Sequence, residues 1–190
     1  MTNKLFKPPF KISRDVMERA SKIKLVLFDV DGVLTDGRVI LGNEDEYKAF
    51  DIKDGHGLRM LARHGITIGI ITGRRSRAVE RRAAELDIKH VHQGCKEKLP
   101  VYRKLLAELS ITAEQTAYMG DDLMDLPVML EVGLAVAVGD AHAFVQHHAH
   151  WTAPSPGGRG AARELAEAIL YAQGTYDAEI RRYVNPGTRA

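Results

Sequence analysis

The stretch KLVLFDVDGVLTDG, residues 24–37, decides how the rest of the chain is read. Lys24 to Val30 is a continuous apolar run rich in branched side chains, short enough for a strand buried on both faces of a parallel sheet. The polar DGVLTDG that follows is a glycine-containing loop at its carboxyl end. Runs of the same kind recur at Ile66–Ile71, Thr116–Met119 and Leu134–Val138, with shorter ones at Ile88–His92 and His150–Thr152. Between them lie helical patterns at Gly57–His64 (Gly65 as its stop), Arg75–Leu86, Lys96–Leu109, Leu126–Val132, from an Asp140 cap through Val145, and Gly160–Gln173. Thr112 and Gln115 have the spacing of a capping box. Strands alternating with helices at this spacing predict βαβ units, and so an α/β doubly wound parallel sheet. Arg38 to Ile52 differs: two alternating stretches around Gly42-Asn43 predict a protruding β-hairpin at about 37–52. The expected organisation is a lead-in over 1–20, one domain over 21–174 and a C-terminal tail over 175–190, whose IRRYVNPGTRA is expected to be disordered unless an oligomer pins it.

Composition narrows the function classes. The 190 residues are 45% hydrophobic and 27% charged, as in a globular domain. The apolar run Val132–Val138 falls far short of the ~18 residues that a membrane span needs. The opening MTNKLFKPPFKISRDV lacks the apolar core of a secretory signal, and one cysteine, Cys95, cannot form an internal disulfide. A cytoplasmic protein is the expectation. Lys+Arg 27 against Asp+Glu 25 gives a net charge of +2, too little to argue for nucleic acid.

The chemistry sits at the strand ends. Asp29 and Asp31 are two apart, so an extended backbone points them to one side. Their mutual repulsion is useful when one carboxylate is an ionised nucleophile and the other carries a proton. Thr72 supplies a hydroxyl and Gly73 an unobstructed N–H that can hold a phosphoryl oxygen. Lys98, early in a helix, opposes the helix dipole and makes sense facing a phosphate or a carboxylate. Asp121, Asp122 and Asp125 follow Gly120, and hard oxygen donors in this number suit Mg2+. One aspartate after a strand is commonly a cap or turn residue. All four groups, in order and each at a strand end, argue for a site.

DVDGVLTDG, ITGR, the KL after QGCKE, and GDDLMDLPVM together resemble the four motifs of the haloacid dehalogenase superfamily. KAFDIKDGHGLRML, VGLAVAVGDAH and GGRGAARE narrow the resemblance to the 3-deoxy-D-manno-octulosonate 8-phosphate phosphatase family, over about residues 20–175. The resemblance implies a HAD-like, Rossmannoid fold without a large cap domain, and hydrolysis of that sugar-acid phosphate in lipopolysaccharide precursor synthesis. It implies Asp29 as the nucleophile that becomes an aspartyl-phosphate and Asp31 as the acid, then base. Thr72 and Lys98 would hold the phosphoryl group. Mg2+ would be held by Asp29, the Asp31 backbone carbonyl and Asp121, with Asp122 and Asp125 in support. It also implies a homotetramer in which hairpins assemble and a neighbour caps the open site, with Val39, Ile40, Tyr47 and Phe50 at the interface. Lys53, Arg59, Arg74 and Arg159 are candidates for the substrate carboxylate, Arg159 from a flexible PSPGGRG segment reaching over a neighbouring mouth.

Rival readings are the same chemistry on a nine-carbon sialic-acid-type phosphate, a phosphoacceptor signalling module, and a DNA-end phosphatase. Asp31 argues against the signalling module, whose phosphoryl group persists. The histidines of HAFVQHHAH match no closed zinc site. The arginines from Arg74 to Arg82 read as a solvated helix face. Lys96 and Lys98 are positioned to lower the pKa of Cys95, but no base accompanies it.

Overall fold

The computed structural model describes residues 6–43 and 46–184. In chain order the elements are α1 (Arg14–Ala20), β1 (Leu25–Phe28), β2 (Ile40–Leu41), β3 (Glu46–Tyr47), α2 (Ile52–Arg63), β4 (Thr67–Ile71), α3 (Arg77–Glu85), β5 (His90–His92), α4 (Lys98–Leu109), β6 (Thr116–Gly120), α5 (Leu126–Met129), β7 (Leu134–Ala137), α6 (Ala143–His148), β8 (Trp151–Thr152), α7 (Ala161–Ala172) and α8 (Tyr176–Val184). Short 3-10 turns at Ala113–Gln115 and Leu123–Asp125 flank β6.

Six strands form one parallel sheet in the order β5-β4-β1-β6-β7-β8. Every β1 side chain is buried, as expected of a strand covered on both faces. Truncating one of them, Leu27→Ala for instance, costs about 2–5 kcal/mol by the usual cavity argument. The chain steps from β1 through β4 to β5 on one side, then returns to β6 on the other. Right-handed crossovers therefore place α2 and α3 on one face and α4, α5 and α6 on the opposite one. After β8 the chain crosses back, and α7 packs on α2. The reversal opens a crevice at the carboxyl end of β1, between β4 and β6. Register brings the three ends level: Phe28 lies opposite Ile70 on β4 and Met119 on β6.

Four local expectations change. First, α2 starts at Ile52, five residues before the apolar pattern, because the Asp51 carboxylate caps it by accepting the Lys53 N–H at 2.6 Å. Second, Asp140 does not cap α6. The His142 ring does so by accepting the Phe144 N–H, and the Asp140 carboxylate instead accepts the Gly157 N–H at 2.9 Å. Third, the chain beyond Gly174 continues as α8, held to α2 where Glu179 accepts from Arg63, at 3.1 Å from His64 Nε2 and at 3.1 Å from the Tyr183 hydroxyl. The last part of the tail, residues 185–190, lies outside the described residues. Fourth, Phe50 leaves the hairpin and packs on its own core, with the Arg82 guanidinium 5.9 Å from its ring centre.

The hairpin itself is as expected in kind. β2 and β3 pair antiparallel, Ile40 opposite Tyr47, and residues 44–45 of its turn lie outside the described residues. Val39, Ile40, Leu41 and Tyr47 are exposed on it.

Candidate active site

Asp29, Thr72 and Asp121 each follow the end of β1, β4 or β6, so the sheet register sets their side chains around one crevice. That crevice is a cavity of about 280 Å³, lined by Asp29, Asp31, Thr72, Lys98 and Asp121, with Gly73, Arg74, Asp122 and Asp125 beside them. Gly32 turns the chain immediately after the two aspartates with a φ of +86°, in the left-handed region, and a Cβ there would stand 2.0 Å from Asp121 Oδ2. The loop carrying Asp31 and the loop carrying Asp121 therefore touch only because residue 32 has no side chain.

Lys98 is almost fully buried, with Nζ 2.6 Å from Asp125 Oδ1 and 2.9 Å from Asp29 Oδ1. The second contact is an ion pair without hydrogen-bond alignment, so Asp29 Oδ1 has no aligned donor. Burial alone would lower the Lys98 pKa, but the Asp125 and Asp29 carboxylates hold it above its ordinary value, and the side chain stays cationic. The Asp125 carboxylate is saturated: Oδ1 accepts from Lys98 and from the Tyr118 hydroxyl at 2.7 Å, and Oδ2 accepts from the backbone N–H groups of Asp121 and Asp122. Asp125 thus orients Lys98 and the loop after β6. Asp122 caps the Leu123–Asp125 turn through the Leu123 N–H at 2.7 Å and is exposed.

Asp29, Asp121 and Asp125 place carboxylate oxygens within 4.8 Å of one another. One buried ammonium cannot balance three carboxylates. The Asp29 carboxyl is accordingly pushed up to about 6, by burial first and the Asp125 charge second, against the pull of Lys98. Asp121 is pushed up to about 8 by burial, then by Asp125 and Asp29. Crowded, destabilised carboxylates and an undonated Asp29 oxygen are what a hard divalent cation would relieve, so these residues fit Mg2+.

The other anticipated substrate ligands divide. Arg74 reaches the cavity, with Nη2 2.5 Å from Glu46 Oε2 and Nε 3.9 Å from Asp31 Oδ2. Lys53 is exposed and does not line the cavity. Arg59 donates instead to the backbone carbonyl of Glu85 at 2.6 Å. Arg159 lies 3.7 Å from Asp36 Oδ2, outside the cavity of its own chain. Its segment is anchored rather than free. The Gly157 N–H binds Asp140, the Gly158 N–H donates to the Val33 carbonyl at 2.8 Å, and the Gly160 N–H binds Asp54. A Cβ on Gly157 would stand 1.8 Å from the Gly32 carbonyl oxygen. This segment is the backing of the loop that carries Asp31.

Three participants lack a signal in the reading above: Glu46, Lys48 and Tyr118. Lys48 forms an ion pair with Asp31 and lies 3.1 Å from Glu46 Oε1, its side chain 2% exposed. The alternation Glu46, Tyr47, Lys48 was the available clue, since extended chain points residues two apart, here Glu46 of β3 and Lys48 just after it, to one side. Tyr118 sits inside an apolar strand, where its hydroxyl looks incidental. The histidines serve the backbone: the His150 ring accepts the Ala135 N–H at 2.8 Å, and the His148 ring meets the Phe144 carbonyl. Burial raises the Cys95 pKa against the opposing charges of Lys98 and Arg75, which reverses the expected direction.

A family model of haloacid dehalogenase-like hydrolases matches residues 91–165. The 3-deoxy-D-manno-octulosonate 8-phosphate phosphatase of Yersinia pestis is 49% identical over 163 residues, covering 85% of this chain and 87% of that protein. A probable phosphatase from Pseudomonas syringae superimposes with a TM-score of 0.89 at 51% identity, covering 91% of this chain and 99% of that one. The Moraxella catarrhalis 3-deoxy-D-manno-octulosonate 8-phosphate phosphatase, solved with a magnesium ion, a phosphate ion and KDO, superimposes with a TM-score of 0.87 at 41% identity, covering 89% and 98%. With the strand-end carboxylates, the buried lysine and these likenesses in agreement, the chain belongs to the 3-deoxy-D-manno-octulosonate 8-phosphate phosphatase family of the haloacid dehalogenase-like hydrolases.

Proposed function

We infer that the chain is a Mg2+-dependent phosphomonoesterase that hydrolyses 3-deoxy-D-manno-octulosonate 8-phosphate to the free sugar acid and phosphate. One observation carries this most: the cavity that gathers Asp29, Asp31, Thr72, Lys98 and Asp121 belongs to a chain whose Moraxella relative holds magnesium, phosphate and KDO. Asp29 acts as the nucleophile. Its carboxylate oxygen bonds to phosphorus as the bond from phosphorus to the sugar oxygen breaks. Asp31 donates a proton to that leaving oxygen, then takes one from the water that attacks the aspartyl-phosphate and releases phosphate. The Thr72 hydroxyl, the Gly73 N–H and the Lys98 ammonium hold the phosphoryl oxygens. Asp29, the Asp31 backbone carbonyl and Asp121 would hold the metal, with Asp122 and Asp125 in support. Mg2+, when bound, supplies the charge neutralisation that lets an anionic nucleophile meet a dianionic ester.

Arg74 is the cationic group of this chain best placed for the substrate carboxylate. Lys53, Arg59 and Arg159 contribute only if they face a neighbour's cavity. The exposed Val39, Ile40, Leu41 and Tyr47 on a hairpin of two-residue strands support assembly of a homotetramer that covers the open site. No helix among the described residues is long and apolar enough to cross a membrane. A cytoplasmic place in lipopolysaccharide precursor synthesis fits the substrate.

The test is phosphate release from eight- and nine-carbon sugar-acid phosphates and simple hexose phosphates, with Mg2+ and with EDTA, for the wild type and Asp29→Asn. The expected result is preference for the octulosonate ester, loss of turnover in EDTA and an inactive variant. Full activity of Asp29→Asn refutes the mechanism, and preference for the nine-carbon ester refutes the substrate.

A further inference from the structure

Glu46 in β3 and Lys48 just after it are two apart and reach the cavity-lining Arg74 and Asp31, while Tyr47 between them is 65% exposed on the other side. Both meet charged partners there among the described residues. Lys48 Nζ contacts Asp31 Oδ1 and Glu46 Oε1, and Arg74 contacts Glu46 Oε2 and approaches Asp31 Oδ2. The four groups close a ring of alternating charge, Asp31–Lys48–Glu46–Arg74, with no net charge of its own. Surface ion pairs of this kind contribute little. A lysine whose side chain is 2% exposed is another matter, because an ammonium taken out of water needs its carboxylates close and aligned.

We propose that Lys48 is a positioning residue for the acid–base carboxylate Asp31, itself set in place by Glu46. The proposal rests on the phosphatase reading above. Asp31 sits at the mouth of the cavity, at 21% side-chain exposure, on a loop that turns at Gly32. Rotation about its side-chain bonds would carry the carboxyl away from the sugar oxygen it must protonate. Lys48 fixes one oxygen from the hairpin side, and Arg74 faces the other from the loop after β4. Glu46 spans the two cations and keeps either from swinging onto Asp31 alone. The hairpin therefore reaches into the chemistry of its own chain, besides offering apolar residues outward.

Leaving-group dependence tests this. An alkyl phosphate such as 3-deoxy-D-manno-octulosonate 8-phosphate needs a proton on its departing oxygen; p-nitrophenyl phosphate releases p-nitrophenolate, which departs as a stable anion. kcat/KM covers only the steps through loss of that group, so it isolates the proton donated by Asp31. In Lys48→Met the alkyl-to-aryl ratio of kcat/KM is expected to fall at least about 10-fold, against the 10²–10⁴ commonly contributed by a general acid. Lys48→Arg, which keeps a cation, is expected to restore that ratio to within about 3-fold, and Glu46→Gln to lower it by about 3-fold. Thermal midpoints of all three variants report folding separately. Equal losses on both esters, an unchanged ratio, or a rise in KM with the ratio intact would each overturn the proposal. If the wild type releases phosphate from neither ester, the phosphatase reading fails first and takes the proposal with it.

Discussion

Glu179→Ala removes a buried carboxylate far from the cavity, and its cost can be worked from the contacts. Glu179 is fully buried on α8 and accepts from Arg63, with His64 Nε2 and the Tyr183 hydroxyl each at 3.1 Å. Losing the charge-assisted bond to Arg63, whose side chain is 31% exposed and partly rehydrates, costs about 1.5–2.5 kcal/mol. His64 and Tyr183 can also turn to water, so each adds about 0.5 kcal/mol. The sum, about 2.5–3.5 kcal/mol, corresponds to a fall in Tm of roughly 5–14 °C for a chain of this length. Burial pushes the Glu179 carboxyl up, but hydrogen bonds from Arg63, His64 and Tyr183 outweigh it and hold the pKa below its ordinary value. A depressed carboxylate contributes stability that is complete above its unfolded pKa and lost as pH falls through the folded one. The gap between wild type and Glu179→Ala should therefore be constant through neutral pH and shrink below about pH 4.5. Calorimetric melting of both proteins from pH 3.5 to 8 measures it. A fall in Tm under 2 °C, or a gap that does not narrow in acid, refutes the reasoning.

Three further outcomes follow from the site. Gly157→Ala drives a methyl group into the Gly32 carbonyl, and is expected to cost about 1–3 kcal/mol by melting and at least about 10-fold in kcat. Lys98→Met leaves Asp29, Asp121 and Asp125 without their ammonium, and kcat is expected to fall about 10²–10³-fold in steady-state assays. Metal removal has a pH signature. Asp29 at about 6 and Asp121 at about 8 are raised, so the metal-free fold loses stability as pH climbs from the ordinary carboxylate range toward 8. Mg2+ binding displaces those protons, so the Tm gain on adding a fixed amount of Mg2+ should be larger at pH 8 than at pH 6; at 100-fold excess over Kd the stabilisation is about 2.7 kcal/mol.

The strand ends were legible because a doubly covered parallel strand must be apolar throughout, which leaves Asp29, Thr72 and Asp121 standing out where each run stops. What the sequence hid has particular causes. α2 looked late because Asp51, its cap, reads as part of the hairpin and the next turns carry Gly55 and Gly57. α8 looked like a tail because its most buried group is Glu179, a residue type that pattern reading assigns to solvent. Arg59 and Arg159 were plausible ligands by type, and only tertiary placement beside Glu85 and Asp36 takes them out of their own cavity. Lys48 and Glu46 escaped because their partners, Asp31 and Arg74, are distant in the chain and meet them only across the folded crevice.

The contact between Gly157 and Gly32 joins residues 125 positions apart, and so has a meaning in time as well as space. A ribosome delivers Asp29 and Asp31 long before it delivers the wall behind their loop, which comes after every strand of the sheet. A nascent or prematurely terminated chain that already holds Asp29, Asp31, Lys98 and Asp121 still lacks the backbone that shapes the turn between them. Fragments that end before Gly157 should therefore be silent however well their sheet has formed.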